Sequence, residues 1–239
     1  GCRATALSSV ERSRLMVRME SSQAQPTDML NTHPSQVLAS DPSLGTSSTL
    51  YRGQSLASAV VQDNDEFVLI EDGALRMFVT NGAGERFYLS IIGAGYVFTP
   101  ESIRLASQNH ERRGVEAMRE VRLRRISRAE WEAVNRKHPH LYNLVIEQEA
   151  QQLQIVQFHL AHHVQRSSLE RTRFALCTYA QGIGSLLPCG SISIKVSRAE
   201  LATWIGVSSD RIARLIRELH VAGEVTLDGR NIRVSNALL

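Results

Sequence analysis

The sequence predicts an α+β chain in three parts: an N-terminal double-stranded β-helix (a jelly-roll barrel), one long helix, and a C-terminal winged helix-turn-helix. Between Leu50 and Arg124, short apolar alternations are broken by turn residues about every ten positions, the pattern of antiparallel strands in a small barrel. From Pro139 to about Val164 the chain has no internal Gly or Pro and repeats apolar residues at heptad spacing. From Ser197 to His220 it reads SRAELATWIGVSSDRIARLIRELH, two short capped helices around a glycine.

At 239 residues the chain can form one large or two small domains, each with its own core. Its 27 Lys and Arg against 24 Asp and Glu leave a formal charge of +3. That is too little for a general polyanion binder, so any nucleic-acid contact must be local. Cys2, Cys177 and Cys189 are odd in number and far apart, neither a disulfide framework nor a metal cluster, which fits a reducing compartment. No stretch approaches the ~20 apolar residues of a membrane span. Arg12, Arg14, Arg18 and Glu20 interrupt the apolar core a signal peptide would need. The expectation is a soluble, cytoplasmic protein without a membrane partner.

Residues 1–49 are rich in Ser, Thr, Gln, Asp and Pro and read as a partly disordered tail, with one helix over Ser8–Met19 capped by Ser9. The barrel is expected over residues 50–130. Phe67 to Ile70 is an apolar run ending at the Asp72-Gly73 turn. Leu75, Met77 and Val79 alternate next, and Asn81-Gly82-Ala83-Gly84 turns the chain. Phe87, Leu89 and Ile91 alternate again, and further strands begin at Val115 and Val121. On this reading Phe67, Leu69, Met77, Phe87, Leu89 and Ile91 point into the barrel, which then has few polar anchors.

The helical part is expected over residues 131–166, with Pro139 opening the long helix. Ile146, Leu153 and Leu160 are seven apart, and Tyr142, Glu149, Val156 and His163 form the companion row. This short a/d seam makes Tyr142, Ile146, Glu149, Leu153, Val156 and Leu160 the candidate dimer interface, with packing on the same subunit's barrel as the competing use. A carboxylate such as Glu149 in a seam needs a partner or a raised pKa.

A break at Ser167-Ser168 opens the last part, residues 167–239, with a helix from about Leu169 to Ala180. Ser197 and Glu200 make a capping box, and Leu201, Trp204 and Ile205 form an apolar face before Gly206, which suits a tight inter-helix turn. Ser208 caps a second helix in which Ile212, Leu215, Ile216 and Leu219 recur at helical spacing. Its other face carries Ser209, Asp210, Ala213, Arg214 and Arg217, as suits a helix in a major groove. Glu224–Leu227 and Asn231–Val234 read as a hairpin about Asp228-Gly229.

Barrel, long helix, short hinge and winged helix-turn-helix, in that order, resemble the CRP/FNR family of bacterial transcription factors (cAMP receptor protein and fumarate–nitrate regulator). The resemblance runs from about Leu50 to Asn236 and is tightest from His138 to Ser235. Arg52-Gly53-Gln54 with Leu56, Ile70-Glu71-Asp72-Gly73, and Gly95 match turns of the family's cyclic-nucleotide-binding-like barrel. It implies a homodimeric, sequence-specific regulator rather than an enzyme, with double-stranded DNA, its own second copy and RNA polymerase as partners. The implied base readers are Ser209, Asp210 and Arg214. Arg holds guanine O6 and N7 bidentately, and an acidic side chain accepts from cytosine N4. Ser209 stands where some members carry a second Arg, and Asp210 is one methylene shorter than the usual Glu. Arg211 and Arg217 read as phosphate contacts.

Nucleotide-binding members use a Gly-Glu pair for the ribose and an Arg-Ser pair for the cyclic phosphate. Here Phe98-Thr99-Pro100-Glu101 and Arg112-Arg113 stand in those places, and Val156-Gln157 falls where the long helix would offer hydroxyls. The effector-pocket candidates are therefore Glu101, Arg112, Arg113, Val156 and Gln157. The resemblance then disfavours cAMP, and the apolar barrel interior leads to the expectation of activity set by abundance or by an apolar or weakly polar small molecule anchored by Arg112 or Arg113. The cysteine count excludes an iron–sulfur cluster, which needs about four Cys ligands. No cofactor is evident, although haem held by His110, His159, His162 or His163 stays open, as does redox sensing. A jelly-roll enzyme or an adaptor fused to a winged helix is the remaining alternative. The barrel stretch offers only His110 and no nucleophile–base constellation.

Overall fold

A computed structural model of the chain describes residues 5–6, 33–39, 41, 43–59, 65–107, 113–229, 231–235 and 238. The chain divides into two compact units: Asp28–Phe158, and His159–Leu239 together with Gly1–Thr27. The helix expected over Ser8–Met19 lies outside the described residues.

The first unit is a barrel of two antiparallel sheets. One has the order β2 (Thr46–Leu50), β8 (Val121–Ser127), β3 (Glu66–Asp72), β6 (Val97–Phe98); the other has β5 (Arg86–Gly93), β4 (Ala74–Thr80), β7 (Arg113–Ala117). Gly73 makes the β3–β4 turn with φ of 98°, and a β-carbon there would lie 2.6 Å from the Glu120 carbonyl oxygen.

Val68, Ile70, Leu75, Ile92, Val115, Ala117 and Leu123 share the core built from both sheets. Phe67 and Leu69 do not. They face a second core with Val97, Ile126, Trp131, Leu141 and Val145, and the Phe67 ring stacks on Trp131 at 3.9 Å. Because β3 is buried on both faces, its apolar run cannot reveal which face is the interior. The expected interior set is corrected on β5 as well, where Tyr88, Ser90 and Ile92 are buried while Phe87, Leu89 and Ile91 are half-buried. Both rows of β5 carry apolar residues, and the buried row includes Ser90, so apolar alternation marks the other row.

The second core is covered by three helices: α1 (Pro34–Ala39), α4 (Arg128–Lys137) and the start of α5 (Leu141–Gln165). Helix α1 and strand β2 fall in the stretch expected to be tail, and Val37, Leu38 and Leu44 are buried there. These few apolar positions are enough to dock a short helix even in a polar segment. Two further short helices, α2 (Leu56–Ala59) and α3 (Pro100–Ser107), complete the unit.

The second unit holds the end of α5, then α6 (Ser168–Ile183), α7 (Arg198–Ile205) and α8 (Ser209–Val221), with a five-stranded antiparallel sheet. Its order is β1 (Thr5–Ala6), β9 (Ser185–Leu186), β10 (Ile192–Ile194), β12 (Asn231–Val234), β11 (Val225–Asp228). The N-terminal strand, which pairs Thr5 with Leu186, has no signal in the sequence. The β11–β12 hairpin pairs through Asp228 and Asn231, so its loop opens on Gly229, at φ of 60°. Cys177 is buried, its Sγ donates to the Leu238 carbonyl oxygen, and burial pushes the thiol up to about 12. It is a core thiol, not a redox handle.

Among the described residues no helix is long and apolar enough to cross a membrane, and no group of three or more His, Cys, Asp or Glu side chains is placed to hold a metal ion.

Candidate nucleic-acid interface

Local rules build the helix-turn-helix almost unaided. The Ser197 side chain accepts from the Glu200 amide, and the Glu200 carboxylate accepts from the Ser197 amide at 3.1 Å, closing the predicted capping box on α7. Gly206 ends that helix in the left-handed region, φ 72° and ψ 45°, which a residue with a β-carbon rarely adopts. Ser208 then caps α8 by accepting from the Arg211 amide.

Helix α8 divides cleanly. Ile212, Leu215, Ile216 and Leu219 are buried, while Ser209, Asp210, Arg211, Arg214 and Arg217 are all exposed. The presented face is cationic, with three guanidiniums against Asp210 and Glu218. Arg211 also reaches back to the hinge, where its Nη2 donates to Ser168 Oγ at 3.3 Å. The wing is fixed to α6 by a bidentate pair, Arg173 to Glu224, with both hydrogen bonds at 2.7 Å. At the wing itself Arg233 pairs with Asp228 across the hairpin.

Helix α5 buries two glutamines and leaves a row of apolar side chains exposed. Toward the barrel, Gln148 accepts from the Val97 amide and donates to its carbonyl, both at 3.0 Å, and Gln152 donates to Ser90 Oγ at 2.7 Å. Tyr96 and Ser102 favour the Glu149 carboxylate, but burial outweighs them and pushes its carboxyl above the usual range. Glu149 therefore turns toward its own barrel, a correction to its place in the seam. Tyr142, Ile146, Leu153 and Leu160 are exposed instead, Leu153 by 57%, and Val156 is half-buried. Phe158 and Val164 are also exposed, Val164 by 84%.

Several solved structures share this architecture. A CooA double mutant from Carboxydothermus hydrogenoformans aligns over 88% of this chain and 94% of its own, with TM-score 0.64 at 15% identity. A CRP-family transcriptional regulator from Thermus thermophilus aligns over 80% and 94%, with TM-score 0.61 at 18% identity. FixK2 from Bradyrhizobium japonicum aligns over 81% and 93%, with TM-score 0.60 at 16% identity. The chain has the CRP/FNR fold. No family model and no curated protein sequence matches it.

Within this CRP/FNR fold two of the effector candidates, Glu101 and Gln157, lie at the surface. The Glu101 side chain is 59% exposed and pairs with Arg128 at 3.9 Å, so it is a surface carboxylate rather than an inward anchor. Gln157 is exposed too. Exposure follows from position: Glu101 lies in the first turn of α3, and Gln157 lies off the α5 row that carries Gln148 and Gln152. Arg112 and the Arg113 side chain lie outside the described residues, as do His110 and the His162 side chain. His159 packs against Trp204 and Phe174, and His163 against the Gly206 turn.

The barrel is also richer in polar groups than the alternation implied. Glu116 is buried and receives Arg76 Nε at 2.6 Å and Arg86 Nη1 at 2.8 Å. Gln148, Gln152 and Glu116 were not singled out by sequence reasoning. The one available signal was Gln148 and Gln152 at i,i+4 spacing, on the same helical face as Leu141 and Val145.

Proposed function

We propose that this chain is a homodimeric, sequence-specific DNA-binding transcription regulator of the CRP/FNR type, acting in the cytoplasm and not as an enzyme. The observation that carries it is the division of α8, with four apolar residues buried and a cationic, hydroxyl-bearing face exposed from its first turn onward. Such a helix presents short side chains and Arg214 to base edges, while Arg211 and Arg217 reach phosphates. The apolar outer face of α5 supports a second copy of the chain as its partner, and RNA polymerase is the expected partner at a promoter. The substitutions at the cyclic-nucleotide positions argue against cAMP as the signal.

Selection of binding sites by the full-length protein from a random DNA pool tests this reading. The expected product is an inverted repeat with half-site centres about 34–36 Å apart. On that site Arg214→Ala costs about 1–3 kcal/mol and relaxes one base-pair preference per half-site. Arg217→Ala weakens all sequences alike and flattens the salt dependence. An unenriched pool, or equal loss of specificity from both changes, overturns the reading.

A further inference from the structure

The last turns of α5 meet the helix-turn-helix through two imidazoles. His159 is 3% exposed, and its ring lies parallel to that of Trp204, 4.9 Å between centroids and 8° between planes. Phe174 of α6 closes on the His159 ring at 5.4 Å, and Tyr179 meets Trp204 edge-on at 5.4 Å. One turn later His163 meets His159 at 6.4 Å, near-perpendicular. Its Cε1 stands 3.0 Å from where a β-carbon on Gly206 would sit. Gly206 is the residue that sets α7 against α8, so His163 is lodged against the turn that aims the candidate recognition helix.

We propose that His163 is the proton-sensing residue of a latch, in which its neutral imidazole holds the helix-turn-helix docked on the end of α5 and protonation releases it, weakening DNA binding. The surroundings oppose an imidazolium at His163. Burial disfavours the cation, and so does the Arg171 guanidinium of α6, whose Nη1 donates to the His163 carbonyl at 3.2 Å. Of the other groups packed here, α7 offers the Trp204 ring, the turn offers the Gly206 backbone, and His159 is the titratable neighbour on α5 itself. Burial and Arg171 together hold the His163 imidazole below its ordinary range.

The sign follows by linkage. The docked state binds a proton less readily than a released one. Docking is therefore at full strength above the ordinary imidazole pKa of about 6.5 and weakens as pH falls below it. Each unit by which the docked pKa lies under the released one makes the protonated chain about tenfold less apt to dock.

The consequence for DNA rests on the function proposed above, and the experiment separates the two. Full-length protein carrying Trp131→Phe, which keeps an aromatic ring against Phe67, leaves Trp204 as the emitting indole. Its emission and its affinity for the selected DNA site are followed from about pH 8 to about pH 5.5. The expected result is a red shift of Trp204 with a midpoint below about 6.5, and a fall in affinity of about tenfold or more over the same interval. His163→Gln should flatten both while binding normally at pH 8. Arg171→Gln should keep the step and move its midpoint up. A Trp204 signal constant with pH, or a step unchanged in His163→Gln, overturns the latch. A Trp204 step that depends on His163 without DNA binding at any pH supports the latch and counts against the DNA-binding reading.

Discussion

In the winged unit α8 has one buried and one exposed face, and the face left in water is the candidate site. In the barrel unit β3 is buried on both faces, and polar groups such as Glu116 and Ser90 are inside. Helix α5 makes the contrast sharpest: its glutamines are buried, while Ile146, Leu153 and Leu160 stand exposed. A hydrophobic period reports that something covers a face, not what covers it. On α5 the described residues of the single chain leave the apolar row exposed, and on β3 both coverings belong to it.

The most severe test of that contrast charges the exposed face of α5. Leu153→Glu with Leu160→Glu removes apolar contact from both copies at once and sets like charges against each other. Light scattering should show a monomer, and affinity for the selected inverted repeat should fall toward the non-specific level, roughly 10³-fold or more. The folded single chain should survive, because both positions already face water. A wild-type protein that is monomeric at micromolar concentration contradicts the interface.

The next test makes one change in each unit. Trp131→Ala removes the ring stacked on Phe67, and Trp204→Ala removes the one between His159 and Tyr179. Each should cost about 3–5 kcal/mol of its own unit's stability in urea unfolding. Only Trp204→Ala should lower DNA affinity at temperatures where both units stay folded. Equal loss of DNA affinity from both would mean that the aim of α8 depends on the barrel's second core.

Much of the fold was legible because local chemistry decided it. The Ser197–Glu200 box, Gly206, the Ser208 cap and the i,i+3,i+4 row of α8 are each set within four residues of chain, and all four lie where the sequence puts them. The barrel was legible as strands and turns but not as faces, since β3 is buried on both faces and β5 places Ser90 in its buried row. The β1–β9 pairing joins Thr5 to Leu186, far too distant in sequence for any periodicity to register. Glu149 lies in the heptad row, yet its carboxyl is claimed by Tyr96 and Ser102, residues that only the folded barrel brings near.

Glu149 supplies the smallest and most specific test. Its carboxyl is raised chiefly by burial, against Tyr96 and Ser102, which lower it. The folded state thus holds the proton more tightly than the unfolded chain does. The associated stability is complete below the ordinary carboxyl pKa of about 4.3 and is lost as pH rises through the raised value. Asp41 and Glu130 act in the opposite sense: the Ser43 and Ser127 hydroxyls hold them low, so their contribution is lost as pH falls. A single pH profile of the wild type mixes the two, and the difference between wild type and Glu149→Gln isolates one. The amide keeps the shape of the side chain and has no proton to lose. Glu149→Gln should therefore match the wild type near pH 4 and exceed it increasingly toward pH 7, read as the urea midpoint of the barrel unit. Parallel profiles across that range would mean that the Glu149 carboxylate is as well solvated folded as unfolded, and that α5 is not held to the barrel through it.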